Sequence, residues 1–307
     1  MCLKGVHILR TCTYIVKRGE AMLGLFARET IRDWEKVQEI RLRIGQKMKI
    51  RYHDRTVSCG EILHREELLK LMEYITNYSP HAYENELRQG FITVEGGHRI
   101  GVAGQVLLEK GNVKNMKNIS SINIRVAHQV KHCADSVMPY ILQKDSICHT
   151  LIISPPRCGK TTMLRDIVRQ ISSDQCNVGI VDERSEIAGC YQGVPQNDVG
   201  NCTDVLDACP KTEGMLMLIR SMSPDVIAVD EIGQADEVDA MKYAMYCGVK
   251  MLATVHGSSM EEIRNKPLFN QLVKEHCFER YIVLRNGTHV GEVAEIFDTR
   301  GCILYRG

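Results

Sequence analysis

One stretch constrains this chain more than any other: Ser154-Pro155-Pro156-Arg157-Cys158-Gly159-Lys160-Thr161-Thr162. An apolar run, Thr150-Leu151-Ile152-Ile153, precedes it, and a helical pattern over residues 163–171 follows. Strand, loop, Gly-Lys-Thr and helix together are the context of a phosphate-binding P-loop. Such a loop turns its backbone N–H groups inward as an anion nest, and the helix N-terminus adds partial positive charge. Lys160 is then expected to reach the β- and γ-phosphates of a nucleotide, and Thr161 to offer its hydroxyl to Mg²⁺. Ser154 stands where the first glycine of the pattern belongs. Serine is small, and Pro155 and Pro156 stiffen the loop, so the variant is compatible with the motif.

A chain of 307 residues has room for two domains or one large one, and 44% apolar residues supply a sizeable core. A formal net charge of +1 gives no global basic field for nucleic acid or anionic lipid. The 13 cysteines are an odd number, and no two lie closer than seven residues apart, so no C-x-x-C metal pair exists. Cysteines scattered through apolar segments read as buried thiols, which implies a reducing cytosol. Cys158 is the exception in position only, because the motif does not use its thiol. No segment approaches the ~18 apolar residues of a membrane span. Residues 1–21 show neither period nor caps and read as an extension, with Met22 as an alternative start.

Residues 22–128 read as a small α+β domain. A helix leads into a strand over 37–44, and a second strand covers 48–52. A helix spans 65–77, with Leu68, Leu69, Met72 and Ile75 on one face. A short helix runs from Pro80 to Gly90. The segments 91–94 and 100–107 around Gly96-Gly97 signal a hairpin. A polar loop is expected over 109–118, then a strand at 122–126. Residues 129–148 contain a connecting helix around 137–142. From His149 the pattern changes to strands alternating with helices, the mark of a parallel sheet. Strands are expected at 149–153, 177–182, 225–230, 250–255 and 278–284, and helices at 159–172, 211–222, 235–246 and 267–275. A final hairpin covers 291–305, turning at 298–301.

Three strand ends carry further chemistry. Val226-Ile227-Ala228-Val229 ends in Asp230-Glu231, the Walker B arrangement. Asp230 is expected to reach a Mg²⁺-bound water, and Glu231 to orient or deprotonate the attacking water. Val178-Gly179-Ile180-Val181 ends in Asp182-Glu183, and this strand is expected beside the P-loop strand with both acids toward the nucleotide. Arg184 and Glu186 follow, and a surface ion pair is as good a reading of them as a role at the site. Met251 to Val255 ends in His256, a candidate γ-phosphate sensor.

This ordered set resembles the Walker A, Asp box, Walker B and His box of type II and type IV secretion ATPases. More closely, the chain from about Val37 resembles the stage III sporulation AA family. Gln38-Glu39-Ile40-Arg41-Leu42-Arg43, Gly96-Gly97-His98-Arg99-Ile100-Gly101, Ile153-Ser154-Pro155-Pro156, Val181-Asp182-Glu183-Arg184-Ser185-Glu186-Ile187-Ala188-Gly189 and Arg220-Ser221-Met222-Ser223-Pro224-Asp225 carry that resemblance. It implies a RecA-like P-loop NTPase core at 149–307 and ATP with Mg²⁺ as ligands. It also implies a cytoplasmic ATPase of the mother cell, working as a hexameric ring beside the membrane proteins of a mother cell–forespore channel.

The alternative is a RecA-like ATPase acting on RNA or single-stranded DNA. That chemistry calls for a basic groove with stacking aromatics, and only 6% of residues are aromatic, so the export reading is favoured. A ring completes each site with an arginine from a neighbour, and the P-loop region shows no obvious arginine in cis. Arg99, Arg125 and Arg220 are the candidates. With no spanning segment and almost no net charge, the chain is expected to reach a membrane through a protein partner, with 22–128 as the candidate docking surface.

Overall fold

The computed structural model describes residues 36–76, 78–79, 83–143, 146–172, 176–287 and 290–307. They fall into two compact units that divide between His128 and Gln129.

The first unit is a six-stranded antiparallel sheet. It holds β1 (Val37–Arg43), β2 (Lys47–Tyr52), β3 (Thr56–Ile62), β4 (Phe91–Val94), β5 (His98–Glu109) and β6 (Asn112–Arg125), in the order β3-β2-β1-β6-β5-β4. One face alternates inward through Ile40, Leu42, Ile50, Ile100, Ile122 and Ile124. Leu68, Leu71, Met72 and Ile75 of α1 (Arg65–Ile75) close over it. Helix α2 (Glu84–Gln89) ends at Gly90, whose φ of 84° suits only a residue without a Cβ. The helix expected ahead of Val37 and the start expected at Pro80 lie outside the described residues.

Two expectations need correction here. The polar stretch 109–118 is not a loop. Lys110 and Gly111, at φ 51° and 81°, make a two-residue turn between long strands β5 and β6. Most side chains there are exposed, so the stretch leaves no apolar period in the sequence, although Met116 packs against the core. Strand β3 was not expected, because its residues are almost all exposed and leave no apolar period.

In the second unit the connecting helix shrinks to one turn, α3 (Met138–Ile141), followed by the two-residue strands β7 (Leu142–Gln143) and β8 (Ser146–Ile147). The main sheet has the order β11-β10-β12-β13-β9-β14-β15-β16. Its strands are β9 (Thr150–Ser154), β10 (Val178–Asp182), β11 (Thr203–Asp207), β12 (Val226–Val229), β13 (Lys250–His256), β14 (Arg280–Leu284), β15 (Val293–Asp298) and β16 (Ile303–Arg306). Strands β9 to β14 pair in parallel, and β15 and β16 add on antiparallel.

Both faces of the parallel part are buried. Ile152, Ile180, Ala228, Leu252 and Ile282 face α4 (Lys160–Ser172). Leu151, Val181, Ile227, Met251 and Tyr281 belong to the opposite core, with Met215 and Leu218 of α5 (Lys211–Ser221) and Val238 and Met241 of α6 (Ala235–Tyr246). Burial on two sides explains the unbroken apolar runs read in the sequence. Helices α7 (Met260–Asn265) and α8 (Pro267–Lys274) follow β13; α7 and the edge strand β11 carry too few apolar residues to have been read.

The strand order changes what the motifs can do. Strand β10 is not beside the P-loop strand β9, because β12 and β13 lie between them. Along the row of carboxyl ends the sequence is therefore Glu183, then Asp230-Glu231, then His256, then the P-loop.

Candidate active site

The P-loop leaves β9 at Ser154, which is fully buried. The Ser154 hydroxyl donates to the Pro155 carbonyl (2.9 Å), and its own carbonyl accepts the Gly257 N–H (3.2 Å). Serine thus fits the glycine position by folding its side chain back on the loop. Arg157 and Gly159 take the left-handed backbone, at φ 64° and 89°. A Cβ on Gly159 would stand 2.6 Å from Val290 Cγ1 and 2.7 Å from the Gly291 nitrogen, so only glycine fits. The Gly291 N–H donates to the Cys158 carbonyl (3.1 Å), which ties the loop to the turn before β15. Cys158 is buried, its thiol near the Pro156 carbonyl (3.6 Å); it packs and holds the loop. Pro155, Pro156 and Arg157 form the outer arc, and Lys160, Thr161 and Thr162 open α4.

The motif side chains converge at the head of that helix. Lys160, 7% exposed, ion-pairs with Glu231 Oε1 and lies 2.9 Å from His256 Nε2. His256 Nε2 is also 3.1 Å from Glu231 Oε1. Thr161 Oγ1 donates to Asp230 Oδ2. Partial burial works to raise the Glu231 carboxyl pKa, but Lys160 first, then His256 and Arg184, outweigh it and hold it below the ordinary carboxylate value. Glu231 also has a left-handed backbone, φ 54°. That strain is over-determined by Thr254, whose hydroxyl accepts the Glu231 N–H (2.9 Å) and donates to Asp230 Oδ1.

The second acid strand behaves differently from expectation. Asp182 does not point at a nucleotide. It is 2% exposed, and its carboxylate accepts the N–H groups of Glu186 (2.8 Å), Ile187 (3.0 Å) and Ala188 (2.8 Å), so it builds the following loop. Burial raises its pKa against those bonds. Arg165 of α4 braces the same loop through the Ile187 and Glu186 carbonyls. Glu183 pairs with Lys211 Nζ (2.5 Å), and Lys211 also holds Glu237 (3.0 Å). Glu183 still lines a small cavity with Arg184, Lys211, Asp230 and Glu231.

The Arg184 Nη1 donates to Glu231 Oε2 (3.1 Å), so an arginine does stand in cis beside the site. Thr254 and Lys211 are the functional neighbours the sequence did not single out, and Arg184 was named there without a role on Glu231. Thr254 had a signal: it lies two residues before His256 on one strand, hence on the same face.

Of the other candidate arginines, Arg220 belongs to the second unit and Arg99 and Arg125 to the first. Arg220 sits in the last turn of α5, at the end of the sheet where β12 begins, opposite the P-loop. Arg99 and Arg125 lie directly across from each other on β5 and β6 in the first unit. The Arg99 guanidinium covers the Phe91 ring at 4.1 Å, and Arg125 faces Glu39 on β1.

The donor set suits a nucleoside triphosphate with Mg²⁺. The loop offers backbone N–H groups and a lysine, while Thr161 and Asp230 offer hard oxygens. Among the described residues no cluster of three or more His, Cys, Asp or Glu is arranged to hold a metal by itself.

The family model described as sporulation stage III, protein AA, matches residues 17–304. Stage III sporulation protein AA of Bacillus subtilis is 40% identical over 292 residues, covering 94% of this chain and 95% of that one. The uncharacterized protein ycf45 of Porphyra purpurea is 29% identical over 182 residues, 58% of this chain and 31% of its own length. Among solved structures, the ATPase DotB of Legionella pneumophila superposes with a TM-score of 0.58 at 16% identity, over 94% of this chain and 80% of that one. The pilus retraction motor PilT, solved with bound ADP, gives 0.58 at 16% identity, over 91% and 78%. At such identities the likeness speaks for the fold alone, which is RecA-like.

Proposed function

The chain belongs to the sporulation stage III protein AA family, and from that premise we propose that it is a Mg²⁺-dependent ATPase of the secretion-motor kind. Its hydrolysis would energise a channel or export apparatus between mother cell and forespore during endospore formation. The observation that carries this reading is the convergence of Lys160, Glu231 and His256, with Thr161 on Asp230, at one helix N-terminus.

The N–H groups of the loop and the first turn of α4 cradle the β- and γ-phosphates. Lys160 moves from Glu231 to a phosphate oxygen. Thr161 and Asp230 would hold Mg²⁺, which neutralises phosphate charge when bound. Glu231, freed of its lysine, accepts the proton of a water whose oxygen bonds to the γ-phosphorus as the bond to the β-phosphate oxygen breaks. His256 contacts the γ-phosphate and reports its loss. Glu183, neutralised by Lys211, supports the water from the adjacent strand β10.

The reading includes a ring of copies, a cytoplasmic location in the mother cell, and contact with a membrane apparatus through protein. No helix among the described residues is long and apolar enough to cross a membrane. Nucleotide binding and phosphate release by three variants test the site. Lys160→Ala is expected to lose nucleotide binding. Glu231→Gln is expected to bind ATP normally but to turn over about 10²–10⁴-fold more slowly, since only proton removal is lost. Wild-type turnover in Glu231→Gln, with Glu183→Gln inactive, would transfer the base to Glu183.

A further inference from the structure

The β5–β6 hairpin runs beyond the sheet that carries it. Strand β1 reaches along β6 only to Ser121, and β4 reaches along β5 only to Gly101. From there outward, among the described strands, residues 105–117 ladder with each other alone, up to the Lys110-Gly111 turn. The register sets Val106 opposite Met116 and Leu108 opposite Val113; Met116 packs against the core of the unit, while Val106, Leu108 and Val113 lie beyond it toward the tip. Val106, Leu108 and Val113 are 44%, 66% and 41% exposed. A water-facing ribbon gains nothing from aliphatic side chains clustered at its tip.

Cations surround that cluster. Lys110, Lys114 and Lys117 lie on the ribbon, and Arg88 reaches it by donating to the Lys114 carbonyl (2.8 Å). The acid among them, Glu109, is paired with Lys114 (2.8 Å). The charge of the whole chain hides a larger division. Residues 1–128 hold 21 Lys and Arg against 14 Asp and Glu, a net of +7, whereas residues 129–307 hold 18 against 24, a net of −6. The apolar tip therefore belongs to the basic unit. The near-zero total charge, which argued against lipid electrostatics, does not describe this surface.

We propose that the tip of the β5–β6 hairpin is a contact for an anionic lipid surface. Val106, Leu108 and Val113 enter the boundary between headgroups and acyl chains. Lys110, Lys114, Lys117 and Arg88 face the lipid phosphates. Apolar insertion and phosphate pairing reinforce each other, as at other interfacial elements that lie on a bilayer without spanning it. This contact is independent of hydrolysis and adds to any protein docking.

Co-sedimentation of the full chain with protein-free vesicles tests it. Phosphatidylglycerol–phosphatidylcholine vesicles are expected to bind at least about tenfold more protein than pure phosphatidylcholine, with the difference shrinking in 0.5 M salt. Leu108→Asp with Val113→Asp, and separately Lys110→Glu with Lys114→Glu, are expected to lower binding about tenfold. Arg65→Glu with Lys70→Glu, the same charge change at exposed positions of α1 in the same unit, is expected to leave it nearly unchanged. All the substituted side chains are exposed, and an unshifted melting temperature confirms folding. Leu108→Ser serves if the aspartates disturb the ribbon. No binding to anionic vesicles, equal binding to neutral ones, or binding indifferent to the hairpin variants overturns the proposal. Binding to native membranes but not to vesicles assigns the tip to a protein and overturns it equally.

Discussion

Glu231 keeps its left-handed backbone because Thr254 holds it from two sides. The Thr254 hydroxyl, fully buried, bridges Asp230 and the Glu231 N–H, and its carbonyl accepts the Ile232 N–H (2.9 Å). Thr254→Val removes the hydroxyl at nearly constant volume and strands one carboxylate oxygen and one N–H. Bonds to charged groups are worth about 1.5–3 kcal/mol, so kcat for ATP is expected to fall roughly 10–100-fold. KM should change little, because the P-loop contacts survive. Thr254→Ser should restore most of the loss, as it keeps the oxygen. Steady-state kinetics decide it, and wild-type kcat in Thr254→Val would show that Asp230 and Glu231 place themselves. At this scale the sequence was legible where a motif is local. Lys160, Thr161, Asp230, Glu231 and His256 announce themselves by residue type at a strand or helix end. Arg184 on Glu231 and Lys211 on Glu183 span 47 and 28 residues; such pairs exist only through space, and no local pattern encodes them.

Whole elements were legible in proportion to their burial. Strands β9, β10, β12, β13 and β14 are buried on both faces and read as continuous apolar runs. Strand β3 and the edge strand β11 are half exposed and did not. The order of strands was not legible, because helices packing on two faces decide it, and no run of residues records its neighbours. Two histidines at element ends give a test here. His98 Nδ1 accepts the Ala127 N–H (3.0 Å), and His149 Nδ1 accepts the Met251 N–H (3.1 Å), so both nitrogens must stay unprotonated. Burial first, then His128, lowers the His98 pKa to about 4; burial, then Lys250, lowers that of His149 to about 4. An unfolded imidazole titrates near 6.5. Between those values the unfolded chain binds more protons, so stability is lost as pH falls from about 6.5 toward 4. For His98 this amounts to about 2 kcal/mol between pH 7.5 and 5. Urea unfolding at the two pH values measures it. His98→Gln should flatten the slope by about that amount, and an unchanged slope would mean that His98 is already solvated.

At the scale of the whole molecule, Arg99 and Arg125 of the first unit are the candidates for completing a nucleotide site across a subunit boundary. Arg184 already stands beside Glu231, but it is bonded to the group that must accept a proton, so it is poorly placed to stabilise the departing phosphoryl charge as well. Arginines supplied from elsewhere accelerate phosphoryl transfer by about 10³–10⁵. Arg99 and Arg125, paired across β5 and β6, are two cations presented side by side on one sheet face. In a ring they can serve a neighbouring copy. Arg99→Ala with Arg125→Ala on one chain, and Lys160→Ala on another, should each be nearly inactive alone. Mixed in equal amounts and allowed to assemble, about a quarter of random interfaces pair an intact P-loop with intact arginines. Phosphate release should then recover toward that fraction of wild type. Recovery requires that the arginines cross between subunits. No recovery, with co-assembly confirmed by sedimentation, would confine them to their own chain. Full activity in the double arginine variant would leave Arg184 as the arginine the reaction uses.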